Sequence, residues 1–96
     1  MPLFRVLVHG HGIHIPATAE SEAIIGFYAS RVVRASNPTS AEKEALSRLR
    51  GEWARPPLSM HNKGAAPDFI VEQVSLLTFF HALRTSSKGF TFYSQE

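Results

Sequence analysis

Gly26-Phe-Tyr-Ala-Ser-Arg-Val-Val-Arg-Ala35 runs through Ser36-Asn37-Pro38-Thr39-Ser40-Ala41-Glu42 into an amphipathic stretch ending at Trp53. The first ten residues are rich in Phe, Tyr and Val, which suit a pleated, half-buried surface. Side chains alternate across a strand. Phe27, Ala29, Val33 and Ala35 therefore share one face, with Arg31 among them, while Tyr28, Ser30, Val32 and Arg34 share the other. Neither face is purely apolar, so one is expected to meet a helix and the other water or a partner.

The helix is expected over Pro38 to Ala54. Asn37 is a good N-cap because its side-chain oxygen can accept from a free backbone N–H, and Pro38 stands where a missing N–H costs nothing. Thr39 with Glu42 offers a capping box in a second register. Glu42 and Glu44 lie towards the positive end of the helix dipole, Arg48 and Arg50 towards the negative end. Ala41, Ala45, Leu46, Leu49 and Trp53 recur at helical spacing and form the predicted buried stripe. Gly51 loosens the last turn and Pro56-Pro57 stops it.

Outward from this strand–helix unit, Leu3 to Val8 reads as an earlier strand, ended by Gly10 and Gly12. His14 to Ile24 reads as a long loop with a helical turn near Ala19 to Ile24. After the helix, Leu58 to Pro67 reads as a loop with Asn62, Lys63 and Gly64 as its turn chemistry. Phe69 to Ser75 reads as a third strand, from its β-branched residues and the Pro67-Asp68 lead-in. The alternative over Ser75 to Arg84 is a helix, because Phe69, Leu76, Phe80 and Leu83 also fit one helical face. Thr85 to Gly89 is a polar turn and Phe90 to Tyr93 a short closing strand. The expected fold is α+β: residues 1–96 as a single domain, with a small antiparallel sheet and one long helix packed on one face. The order is ββαββ and the first expectation for topology is a ferredoxin-like variant.

The chain has 96 residues, 44% of them apolar and 19% charged, which is globular rather than disordered. It contains no cysteine. That excludes disulfides, thiol chemistry and Cys-based zinc sites, and it favours a cytoplasmic location. No apolar run reaches the length of a membrane span, and Met1 to Val8 alternates too strictly for a signal peptide. The formal charge of +2 is spread over scattered Arg and Lys residues. A dedicated nucleic-acid surface is not expected from it.

Three segments together carry a likeness. They are Gly26-Phe-Tyr-x-x-Arg31-x-Val33-x-Ala35 before a Pro-started helix, Pro67-x-Phe-Ile-Val-Glu72-Gln-Val, and Gly89-Phe-Thr-Phe-Tyr93. The chain resembles a group of short bacterial proteins of unassigned function, of about this length and with a ββαββ core. The resemblance implies a small cytoplasmic bacterial α+β domain and no catalytic residue, cofactor or substrate. His9 to Pro16 departs from that pattern.

His9-Gly-His11-Gly-Ile-His14 is the sharpest chemical feature. Neutral imidazole is a common ligand for zinc, nickel and copper, so His9, His11 and His14 form a candidate site for a divalent transition metal. Glu20, Glu22, Asp68 and Glu72 are the carboxylates available to complete it. Gly10-His-Gly12 is not a dinucleotide fingerprint, since the third glycine is missing. Arg31 needs a partner if it is buried. Glu72 on the third strand is the expected one, and an anion-binding arginine is the alternative. Leu76, Leu77, Phe79 and Phe80 carry more apolar surface than one helix covers and mark a contact surface, most simply of a homodimer. His61 and His81 are isolated, and nothing resembles a nucleophile elbow.

These features favour a non-enzymatic interaction or regulatory module, homodimeric and meeting a protein partner, without cofactor or membrane. Two other functions stay open. One is metal binding through the three histidines. The other is RNA reading by Arg31, Arg34, Phe27 and Tyr28 on an open sheet.

Overall fold

The computed structural model describes residues 2–77 and 89–94. The element order is β1 (Leu3–Ile15), β2 (Ile24–Arg34), α1 (Pro38–Trp53), α2 (Leu58–His61), β3 (Asp68–Leu77) and β4 (Thr91–Ser94). The strands form a four-stranded sheet in the order β3-β1-β2-β4, and every pairing is antiparallel. The protein is thus α+β, with α1 packed on one face of the sheet. It is not a clear ferredoxin-like fold. That arrangement alternates strand and helix as βαββαβ, whereas here two consecutive strands take the centre of the sheet before the helix begins.

α1 starts as its sequence dictates. Asn37 has extended backbone, its side chain accepts from the Ser40 N–H at 2.8 Å, and Pro38 follows directly. Ala41, Ala45, Leu49 and Trp53 are buried along one stripe, with Leu46 partly buried beside them. They cover Phe4, Val6 and Val8 of β1 and Phe27, Ala29, Val33 and Ala35 around β2. The ring of Phe27 stacks on Trp53 at 5.0 Å, with Phe69, Phe90 and Phe92 edge-on around it. The indole N–H of Trp53 is buried among these rings and has no oxygen or nitrogen partner among the described residues.

β1 is longer than its sequence suggests. Gly10 and Gly12 do not end it; the strand continues to Ile15. Two neighbours explain this, because β2 and β3 pair with it as far as His11 on both sides. Gly10 lies under the ring of Phe27, and a Cβ there would stand 2.1 Å from Phe27 Cζ. The missing side chain is room that the next strand fills, as a glycine within a strand often is. At Gly12 the backbone has φ +83° and the register shifts before Ile15. The expected helical turn near Ala19 to Ile24 is absent, since β2 already begins at Ile24. The 58–67 loop carries a single helical turn, α2. β3 holds as a strand through Leu77. The rest of the helical alternative over Ser75 to Arg84, with Phe79, Phe80 and His81, lies outside the described residues, as does the 85–88 turn.

Candidate functional site

Residues directly opposite one another in an antiparallel pair share a face, so the register defines the side of the sheet turned away from α1. Leu3, Arg5, Leu7, His9 and His11 of β1 stand there opposite Arg34, Val32, Ser30, Tyr28 and Gly26 of β2. Across β1 they oppose Leu77, Ser75, Gln73, Ile70 and Asp68 of β3. Apolar side chains at Leu3, Leu7, Val32, Ile70 and Leu77 are thus interleaved with polar ones. Tyr28 and Ile70 are exposed, at 41% and 46%. No described element covers them.

His9 is the hub of this face. Its Nε2 lies 2.6 Å from the hydroxyl of Tyr93 on β4. Its Nδ1 lies 3.6 Å from a carboxylate oxygen of Glu72 on β3. Its ring stacks on Tyr28 with centroids 4.6 Å apart and planes 13° from parallel. Two local features bring these groups together. Gly26 separates Tyr93 from β1, and a Cβ on it would stand 2.2 Å from the tyrosine oxygen, so only glycine lets Tyr93 lean across β2 to His9. On the other side, β3 has a register shift opposite Leu7 and Val8 that makes Glu72 an extra residue. Bulges of this kind re-aim a side chain. Phenol, imidazole and carboxylate then form a strap that ties β4, β1 and β3 together over the top of β2.

The three histidines of the sequence motif are not gathered. His9 and His11 share the face with ring centroids 5.7 Å apart, but His14 lies beyond the Gly12 shift. Its backbone is pinned to the following loop instead: its N–H donates to Asn62 Oδ1 at 2.9 Å and its carbonyl accepts from the Lys63 N–H at 2.7 Å. Among the described residues no group of three His, Asp or Glu side chains is disposed to hold a metal. His9 already directs both nitrogens at protein groups.

Arg31 is buried, as its place on the helix-side face requires, but its partner is Glu52 of α1 and not Glu72. Its Nε and Nη2 donate to the two carboxylate oxygens at 3.0 and 2.8 Å. Nη1 donates to the carbonyls of Ser30 and Gly89 at 2.7 and 3.1 Å, and Phe90 lies 5.0 Å from the guanidinium carbon. Arg31 and Glu72 are on opposite sides of the sheet and have no route to one another. The same division removes half of the RNA-reading surface, because Phe27 and Arg31 are 0% and 3% exposed beneath α1. Only Tyr28 and Arg34 of that set are on the open side. Of the expected contact residues, Leu77 sits at the rim of the open face, and Leu76 is 66% exposed beside Phe4 on the helix side.

Sequence reasoning missed the Tyr93–His9–Glu72 strap. The available signal was Gly26, since a glycine inside a strand marks a close approach by something else. No described helix is long and apolar enough to cross a membrane. Comparison with protein-family models, with curated proteins and with solved structures finds no match.

Proposed function

We propose that this protein is a non-enzymatic interaction module that works as a homodimer, with the sheet face opposite α1 as the contact surface and a second copy as the partner. One observation carries this reading: the face is self-complementary. Arg5 and Arg34 occupy one half of it, beside Leu3, and Asp68 and Glu72 occupy the other, beside His9 and His11. Leu7 and Ser30 lie between, with Val32 level with Arg5 and Tyr28 level with His9.

A two-fold axis lying between the two faces and perpendicular to the strands turns one sheet over and reverses its strands. The basic half of each copy then covers the acidic half of the other. An axis parallel to the strands stacks like charge on like. Isologous contacts require such self-matching, and charge complementarity of this kind sets register and partner choice. A small domain whose described residues leave one sheet face uncovered also has the most to gain from burying it.

Sedimentation and light scattering of the 10.6 kDa chain at micromolar concentration are expected to return twice the monomer mass. Arg5→Glu with Arg34→Glu makes both halves acidic; Asp68→Lys with Glu72→Lys makes both basic. Each variant alone is expected to be monomeric, and an equimolar mixture is expected to dimerise. A monomeric wild type overturns the proposal, and so does a dimer indifferent to both charge reversals.

A further inference from the structure

On the helix side of the molecule, the last turn of α1, the 58–67 segment and the start of β3 enclose a groove of about 440 Å³. That volume lies within the range of small-molecule sites. Its walls are mostly apolar: Trp53 and Phe69 as the two aromatic surfaces, with Ala54, Ala66 and Pro67, and with Ser59 as a polar group among them. Its base is fixed rather than loose. The Asn62 side chain accepts from the N–H groups of His14 and Gly64 and donates to the Ala65 carbonyl, so both acceptor positions and one of its two N–H groups shape the turn.

Arg50 stands on the lining with its guanidinium carbon 5.9 Å from the Phe69 ring centroid. The ion pairs among the described residues use Arg31, Arg48 and His9, and none uses Arg50. A planar guanidinium held against an aromatic wall, beside an apolar cleft, matches a ligand with an apolar body and one flat anionic head.

We propose that this groove binds a small amphipathic carboxylate, an aryl or short alkyl acid. Its hydrocarbon part lies between Trp53 and Phe69, and its carboxylate accepts from Arg50. Arg50 also sits in the C-terminal turn of α1, where a cation is favoured by the helix dipole. That role affects stability and not ligand choice, so the test reads ligand choice. The site lies away from the open sheet face and does not depend on the oligomeric state.

Trp53 is the single tryptophan of the chain, so intrinsic fluorescence reports on the groove directly. Phenylacetate is expected to change it saturably. The neutral isostere phenylacetamide is expected to bind roughly tenfold more weakly or worse, the loss that accompanies removing a charge-assisted hydrogen bond. Arg50→Gln is expected to abolish the preference for the acid while the far-UV circular dichroism stays that of the wild type. Three results each overturn the proposal: no saturable response to phenylacetate, equal binding of acid and amide, or a preference that survives in Arg50→Gln. Should Arg50→Gln lose its fold, Arg50→Lys replaces it, and there the preference for the acid is expected to weaken because the flat two-pronged donor is gone.

Discussion

Glu52→Gln is the substitution that tests the interior most directly. It keeps the size and nearly the shape of the side chain but removes the charge that faces Arg31. In the native protein the Arg31 side chain is 4% exposed and the Glu52 side chain 31%, so the cation is deep and its partner reaches the surface. Both charge-paired contacts, 2.8 and 3.0 Å, go to Glu52. The carbonyls of Ser30 and Gly89 satisfy Nη1 but bring no charge. Breaking a buried pair from one side strands the remaining charge and costs about 3–5 kcal/mol. Water reaches Glu52, which places this case at the low end, about 3 kcal/mol. For a domain of this size that is a fall in melting temperature of about 12–24 °C.

The assay is thermal and urea unfolding followed by circular dichroism and by Trp53 fluorescence. Protein concentration must be held fixed, because a dimer's stability depends on it. A second arm isolates the cause. Arg31→Met in the Glu52→Gln background removes the stranded cation and is expected to recover part of the loss, since apolar replacement of a buried pair is often neutral. If Glu52→Gln melts within a degree or two of the wild type, or if the double variant is no better than the single, the account of this pair is wrong.

Three further outcomes follow, two from the glycines and one from the strap. Gly10→Ala is expected to cost about 1–3 kcal/mol by overpacking, because its Cβ meets the ring of the fully buried Phe27, held by Trp53 behind it. Gly26→Ala is expected to cost less, about 1 kcal/mol, because the atom displaced is the hydroxyl end of the partly buried Tyr93 side chain; the reverse order in urea titrations would contradict this packing. Tyr93→Phe deletes the 2.6 Å contact to His9, so faster amide hydrogen exchange is expected at Thr91 to Ser94, by a local loss of about 1 kcal/mol, with Leu3 to Val8 unaffected. Unchanged exchange in β4 would show that the strap does not hold that strand.

The chain's local signals were readable wherever a single element sufficed to interpret them. The alternation through Phe27 to Ala35 announced a strand with Arg31 on its buried side. Asn37-Pro38 announced where the helix begins, and Ala41, Ala45, Leu49 and Trp53 announced the face it buries. Each rests on spacing within a few residues, which the periods of helix and strand translate directly into direction. Phe69 to Ser75 read as a strand from its β-branched residues, and beyond Ser75 the apolar residues fit both periods; pairing with β1 carries the strand through Leu77.

What the tertiary structure decided were the meetings between elements. Arg31 demanded a carboxylate, but nothing local chose Glu52, 21 positions away on the helix, over Glu72 on the sheet. The two acids differ in which side of the sheet they reach, and that depends on strand order. Gly10 read as a terminator because its own neighbourhood lacks a side chain; Phe27 of the next strand fills the space. His9 and Tyr93 are 84 positions apart, and only the β4–β2–β1 adjacency, with Gly26 empty between them, brings them within a hydrogen bond. The sequence by itself determined the elements and their buried faces, since those follow from backbone periodicity. Strand order and register determined the partners, since a side chain's contacts across a sheet belong to whichever strand lies beside it.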